Sequence, residues 1–264
     1  MAGFQSEIRR FNSLPSTNAE SARQAMKGAP EGLCIVAREQ TAGRGRLHRK
    51  WISPAGAGIY FSMVLRPRLH QSAWSLIPLM AALAVHDALR EACALKTDIK
   101  WPNDLLANER KLCGVLAETI ETNAGRAVIL GIGINLTSKA FPLELRDIAT
   151  SVEAITGKTP DSEVVLQTLV AKLAYRYELL NSADGPTRII RAWTERSSYA
   201  NGKRVRVSNG GESFEGWTCG LESDGALRVE THTGETKIVR AADVSALRGM
   251  RDEGWGRSRY LSPW

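Results

Sequence analysis

The chain is poor in cysteine, and the four it has are not arranged for chemistry. Cys34, Cys93, Cys113 and Cys219 are scattered, with no CxxC pair and no histidine at metal-ligand spacing. This argues against a cysteine-based metal site or a thioredoxin-type redox motif. Long hydrophobic runs are also missing. No stretch approaches the ~18 consecutive apolar residues that a spanning helix requires. Near the start, Glu7, Arg9 and Arg10 interrupt any apolar core of a signal peptide. Internal repeats and long low-complexity tracts are absent too. Together these absences predict a cytoplasmic protein with reduced thiols and no membrane association.

What is present is ordinary for a globular protein: 264 residues, 43% of them hydrophobic and 24% charged. Such a composition excludes neither an enzyme nor a binding module. The length exceeds what one hydrophobic core usually fills, so one large and one small domain are expected. A net charge of +7 suits an acidic partner, but it bears on steering and solubility rather than on identity.

The most informative segment runs from Gln40 through Gly43, Arg44, Gly45, Arg46, His48, Arg49 and Lys50 to Trp51. Its glycines let the backbone turn tightly and approach a ligand, and its arginine forks offer planar, bidentate donors to phosphate or carboxylate. Taken alone, the segment reads equally as an anion site or as a solvated basic loop.

Around it the pattern alternates between strands and helices. Thr17-Asn18-Ala19-Glu20 has capping-box spacing and predicts a helix with Ala22, Ala25 and Met26 on one face. Residues 33–37 form a short apolar run suited to a buried strand, and residues 59–65 alternate as a strand does. Residues 74–95 read as a mostly buried helix. Two further strands are expected at 98–101 and 112–119, joined by a Pro-Asn-Asp turn and a polar tip at Asn108-Glu109-Arg110. Another strand, at 127–136, is interrupted by Gly131 and Gly133, where something is expected to come close to the backbone. From Asp161 onward, Leu166, Leu169, Leu173, Tyr177 and Leu180 repeat at helical spacing as a core stripe. Beyond Tyr199, short strands at 204–207, 214–221, 226–230 and 236–239 alternate with glycine turns and predict a small β-barrel.

Four ordered segments carry a resemblance: Ser16-Thr17-Asn18; the arginine loop; Lys100-Trp101-Pro102-Asn103-Asp104 with Lys111-Leu112-Cys113-Gly114; and Gly131-Ile132-Gly133-Ile134-Asn135. In order and wording they resemble the biotin-protein ligases across nearly the whole chain. Two departures are visible: His48 stands where many members have glycine, and Cys113 where a small alanine is common. The resemblance implies an α+β fold, in which a mixed β-sheet flanked by helices, akin to class II aminoacyl-tRNA synthetases, precedes an SH3-like β-barrel. The corresponding divisions are a catalytic domain at 1–198, a barrel at 199–250 and a tail at 251–264.

The activity implied is a two-step one: biotin and MgATP give biotinyl-5'-adenylate and pyrophosphate, and the biotinyl group then passes to a lysine of a biotin carboxyl carrier protein or domain. By the same resemblance, Lys111 bridges the biotin carboxylate and the α-phosphate, while Arg44, Arg46 and Arg49 gather the phosphates, with Gly43 and Gly45 shaping that loop. Asn103, Asp104 and Asn135 serve ATP and its Mg2+, and Asp104 is also a candidate base for the transfer. Ser16, Thr17 and Gln40 meet the ureido ring, Asn18 is counted with the ligand-binding residues, and the backbone at Gly114, Gly131 and Gly133 approaches the ligand. Trp51 packs under the loop, beside the adenine, or simply in the core. A homodimer is expected.

Three alternatives stay open on sequence alone. One is a lipoyl or octanoyl ligase or transferase of the same fold. Another is a DNA-binding repressor; only fifteen residues precede Ser16, too few for a helix-turn-helix, so specific DNA binding is not expected. The third is a nonenzymatic scaffold built on the terminal barrel.

Overall fold

A computed structural model describes residues 6–138, 141–209 and 211–247. The tail expected at 251–264 lies outside the described residues, as does the side chain of His48.

The first strand, β1 (Glu7–Leu14), leads into α1 (Thr17–Met26), β2 (Leu33–Gln40) and β3 (Gly58–Leu65). A long helix, α2 (Ile77–Cys93), is followed by β4 (Asp98–Lys100), β5 (Asp104–Ala107), β6 (Arg110–Thr122) and β7 (Gly125–Asn135). These strands make one seven-stranded sheet in the order β1-β2-β3-β7-β6-β5-β4. The β1/β2 pair is parallel and the remaining pairs are antiparallel, so the sheet is mixed.

Residues 59–65 form a strand, but both faces of β3 are buried, which explains why it is apolar on both faces apart from Ser62. On one face, Ile35, Val64, Ala127 and Ile129 form a small core with Ala25 of α1. On the other, the sheet packs against α2, α4 (Ser162–Leu180) and α5 (Gly185–Thr194). The expected stripe of Leu166, Leu169, Leu173, Tyr177 and Leu180 is buried, and Asp161 caps α4 by accepting from the Glu163 and Val164 amides. The segment Gln71–Cys93 is long and apolar enough to cross a membrane by composition, yet 72% of its apolar window is buried inside the protein.

The structure corrects four local expectations. The N-cap of α1 is Ser16, whose hydroxyl accepts from the Ala19 amide, while Glu20 bonds instead to Arg23 and Gln24. The expected Ala22 and Ala25 do pack on the core, but the buried face also carries Thr17, Asn18 and Ser21, and Met26 at the end of the helix points outward at 54% exposure. The Pro-Asn-Asp turn leads into β5, a strand of its own. The short helix α3 (Val152–Thr156) and α5 were not anticipated.

The C-terminal unit is a five-stranded antiparallel sheet: β8 (Asn201–Asn209), β9 (Glu212–Leu221), β10 (Leu227–Thr231), β11 (Thr236–Val239) and β12 (Asp243–Ala246), in the order β11-β10-β9-β8-β12. The last of these strands was not expected either. The unit docks on the large sheet through its Asp224-Gly225 turn. The Gly225 carbonyl accepts from Trp101 Nε1 at 2.9 Å, and the Asp224 carbonyl accepts from Ser75 Oγ at 2.6 Å. This docking brings β12 beside the arginine loop.

Candidate active site

Strand geometry builds the floor of the site. Side chains on one strand alternate between faces, and Gly133 pairs with Gly114 while Gly131 pairs with Leu116. All three glycines therefore open the same face of the sheet, the one that α1 covers. Two side chains fill much of the space. A Cβ on Gly133 would stand 2.7 Å from Trp51 Cζ2, with Cε2 and Nε1 closer still, and one on Gly131 would stand 2.9 Å from Asn18 Cγ. Trp51 thus lies over the Gly114/Gly133 floor, and its buried Nε1 has no hydrogen-bond partner among the described residues.

A cavity of about 200 Å³ opens above this floor. Ser16, Thr17 and Asn18 reach it from the start of α1, and Gln40 from the end of β2. Arg44, Gly45, Arg46, Arg49 and Trp51 come from the loop, and Asn103 and Asp104 from the turn into β5. Lys111 and Gly114 of β6 and Gly131, Gly133 and Asn135 of β7 complete the sequence-derived wall. Gly43 does not line it. Its carbonyl accepts from the Trp51 amide at 3.0 Å and a Cβ there would collide with the Trp51 carbonyl, so this glycine is needed for the loop to close on itself.

At one end the polar groups form a chain. Gln40 Oε1 accepts from the Thr17 amide at 2.8 Å and lies 3.1 Å from Thr17 Oγ1, while Gln40 Nε2 donates to Ser53 Oγ at 2.8 Å. Ser62 Oγ lies 2.7 Å from Thr17 Oγ1 and 2.6 Å from Asn18 Oδ1. Every member is engaged by another, which fixes their orientations.

The arginine loop is a folded hairpin. Arg44 bridges Lys50, the Gly45 amide donates to the Arg49 carbonyl at 2.7 Å, and a 3-10 turn at Arg46–His48 forms the tip. Its cations point different ways. Arg44 pairs with Glu118 at 3.0 Å, Arg49 pairs with Asp243 of β12, and Arg46 Nη1 donates to Asn103 Oδ1 at 3.1 Å. Burial pulls the Arg46 pKa down, opposed by the nearby carboxylates of Asp243 and Asp104. Burial likewise lowers that of Lys100, partly offset by Asp104.

Lys111 stands between the apolar floor and this loop. Its Nζ is 2.7 Å from Asp104 Oδ1 and 5.5 Å from the centre of the Trp51 ring. The short contact makes the two side chains an ion pair. The Lys111 backbone is tied to the segment after β7: its amide donates to the Ile148 carbonyl and its carbonyl accepts from Thr150. Asn135, expected at ATP or metal, gives its amide hydrogens to the carbonyls of Thr150 at 3.0 Å and Lys111 at 3.5 Å, so that donor serves the same tie. Cys113 is buried beneath, and burial drives its thiol pKa up, which keeps it inert.

Several cavity residues escaped the sequence reading: Leu116, Phe141, Leu145 and Ile148 on the apolar wall, Phe61, Val115 and Ile132, which border it while their side chains enter the core on the opposite face of the sheet, and Asp243. The wall residues look like ordinary core in sequence. Asp243 comes from another domain and carries no local signal.

The cavity is thus apolar along its floor, polar at one end and cationic at the other. Over residues 10–135 the chain matches the Biotin/lipoate A/B protein ligase family, and over 201–247 the Biotin protein ligase C terminal domain. It is 39% identical to the bifunctional ligase/repressor BirA of Bacillus subtilis over 86% of this chain and 70% of that protein. The chain belongs to the biotin protein ligase family. Within that family it is also similar to the biotin--[acetyl-CoA-carboxylase] ligase of Paracoccus denitrificans, at 36% identity over 87% of this chain and 96% of the relative. The biotin protein ligase of Aquifex aeolicus, solved with biotin and ATP, superposes with a TM-score of 0.79 at 30% identity, covering 92% of this chain and 99% of that one.

Proposed function

We propose that this protein activates biotin with MgATP as biotinyl-5'-AMP and transfers it to a lysine of a biotin carboxyl carrier domain. The observation that carries the reading is the position of Lys111, a fixed ammonium where a glycine-floored apolar slot meets a loop of arginines. A slot of that kind suits the thioether ring and valeryl chain, and the polar chain that links Asn18, Ser62, Thr17 and Gln40 suits the ureido group. Such a site strongly rejects an analogue that lacks the matching hydrogen bonds.

In the first step a carboxylate oxygen of biotin attacks the α-phosphorus, the bond to the β-phosphate breaks, and pyrophosphate leaves. Negative charge gathers between the two reactants, where Lys111 and the half-buried Arg46 stabilise it. In the second, the amine of the carrier lysine attacks the acyl carbon and AMP departs. That amine has an unperturbed pKa of about 10.4, so only about one in a thousand is neutral at pH 7. Asp104 is our candidate to take its proton. Among the described residues no group of three acidic, histidine or cysteine side chains is placed to hold a metal. Mg2+ commonly binds through one or two carboxylates plus substrate phosphates, and Asp104 has an oxygen suited to that mode. We place the division between the catalytic domain and the barrel at residues 198/199. The names of relatives such as the Paracoccus protein support a carboxylase carrier as acceptor.

The test is pyrophosphate release from ATP with biotin and, separately, with lipoate. Biotin-dependent release that falls about 10²- to 10³-fold in Lys111→Ala, with the fold retained, is the expected result. Adenylate formed only with lipoate transfers the assignment to the lipoyl branch, which the family description also covers. For the second step, single-turnover transfer from preformed adenylate should slow in Asp104→Asn by more than adenylate affinity changes, and unchanged transfer removes Asp104 as the base.

A further inference from the structure

Glu118 belongs to none of the four motifs, yet its carboxylate joins two of them. Glu118 Oε2 accepts from Asn18 Nδ2 at 2.7 Å and from Arg44 Nη2 at 3.0 Å. On its other side, Asn18 Oδ1 faces Ser62 Oγ. These two contacts fix which way the amide points: oxygen to Ser62, nitrogen to Glu118. Gly131 leaves the amide its space, since a Cβ there would sit 3.0 Å from Asn18 Nδ2 and closer to Oδ1. In the strand register Glu118 lies on the glycine-floored face two residues beyond Leu116, and its neighbour on β7 is Ile129 of the α1 core. A carboxylate at the rim of an apolar cluster is costly unless it is partnered. Both of its partners come from cavity segments.

We propose that Glu118 is a positioning residue for the polar end of the cavity: it locks the Asn18 amide and draws Arg44 to the biotin ring, away from the phosphates. This rests on the ligase reading above, and it refines the sequence-based role of Arg44. The three loop arginines divide, with Arg44 turned toward α1 and Arg46 and Arg49 toward Asn103 and Asp243. Losing Glu118 frees the amide to flip and leaves Arg44 unanchored, which weakens ground-state binding of biotin and spares the chemistry at Lys111.

The experiment is steady-state pyrophosphate release by the full chain, varying biotin and ATP separately, for wild type, Glu118→Gln, Glu118→Ala, Arg44→Ala and the Glu118→Ala/Arg44→Ala double variant. Because a hydrogen bond to a charged group contributes about 1.5–3 kcal/mol, the KM for biotin should rise about ten- to a hundredfold in Glu118→Ala. The rise should be smaller in Glu118→Gln, whose amide oxygen still accepts from Asn18. The kcat and the KM for ATP should stay within about threefold, and the Glu118 and Arg44 effects on biotin should be strongly non-additive. An unchanged biotin KM, a rise confined to ATP, or additive effects would overturn the proposal while wild-type activity leaves the ligase reading standing. No biotin-dependent turnover by wild type overturns both. Should Glu118→Ala fold poorly, Glu118→Gln with calorimetric biotin binding decides: affinity equal to wild type refutes the positioning role.

Discussion

Replacing Gly133 by alanine tests the architecture of the floor with a single methyl. That methyl would lie 2.7 Å from Trp51 Cζ2, with two further ring atoms nearer. Carbon atoms settle at about 3.5–4.0 Å, so the indole has to retreat by roughly 1 Å. It cannot do so by sliding the loop, because the Trp51 amide is bonded to Gly43 and its carbonyl accepts from Ser53 Oγ at 3.2 Å. The ring must leave its rotamer or push the sheet, and overpacking of this kind costs about 1–3 kcal/mol. For a protein of this size that is a fall in Tm of about 2–10 °C. The functional loss should be larger than the stability loss suggests, because the indole is also the wall against which Lys111 stands, at 5.5 Å. A displacement of about 1 Å near a reacting centre can cost about 10²-fold.

Differential scanning fluorimetry and biotin-dependent pyrophosphate release on the same preparation give both numbers. Gly45→Ala is the matched control. It lies in the arginine loop itself, but its added methyl meets its nearest neighbour, the Arg49 carbonyl oxygen, only at 3.4 Å, and its backbone is extended, so activity should change by less than about threefold. If Gly133→Ala matched wild type in both Tm and activity, Trp51 would not be packed on the glycine floor and the reasoning would fail.

Two further outcomes are expected. Asp243→Asn should move Tm by no more than a few degrees, because Arg49 is exposed and Asp243 half-exposed, and such solvent-accessible pairs contribute about 0–1 kcal/mol. The same change should lower the KM for ATP several-fold, since the carboxylate competes with phosphate for one guanidinium; a higher KM would show that Asp243 aims Arg49 instead. His86 is buried on α2 with Nδ1 2.9 Å from Thr97 Oγ1, and burial lowers its pKa, opposed by Asp87 and assisted by Arg196 and Arg90. The unfolded chain therefore takes up this proton first as pH falls below about 6.5, and stability declines until the folded-state pKa has been passed. His86→Gln should accordingly lose less Tm than wild type between pH 7.5 and 5.5, and an identical slope for the two proteins would exclude His86 as a source of acid sensitivity.

Long periodic elements were legible in the sequence because one physical demand, burial of a face, repeats along them: the stripe of α4, the apolar strand β3 and the alternation of β7. Short ones were not. Four residues of β5 sit between a proline turn and the Asn108-Glu109 tip, where both central residues have positive φ, and the stretch is too brief to show a period. Gly185 and Pro186 read as punctuation, yet they open α5. Proline suits a first turn, and Gly185 lies against the Leu179 and Leu180 carbonyls with no room for a Cβ. The cavity was legible where its residues are neighbours in the chain, as in Ser16-Thr17-Asn18 or the arginine loop. The period of two already places Gly131 and Gly133 on one face. It does not disclose what fills the space, because Asn18 and Trp51 arrive from 113 and 82 residues upstream. Glu118 and Asp243 were hidden for the same reason: each matters only through a partner distant in sequence.

Those carboxylates bear on how a site rich in cations stays assembled before any anion enters. Three positive side chains each face an acidic one: Arg44 with Glu118, Arg49 with Asp243, Lys111 with Asp104. Arg46 differs. Its side-chain hydrogen bond goes to the neutral amide of Asn103, and it is the loop arginine whose pKa is depressed by burial. An incoming phosphate must displace a carboxylate to reach Arg49, whereas at Arg46 it meets a half-buried guanidinium held by an amide. Interactions with a charge partly withdrawn from water are the stronger ones, and part of the desolvation cost there has been met by folding rather than by binding. Under the proposed activity, Arg46 is thus the loop cation best prepared to act on charge that develops at the α-phosphate. The exposed Arg49–Asp243 pair, being weak, can open and close over the ligand at little cost, which is what a loop that must admit ATP and later release AMP requires.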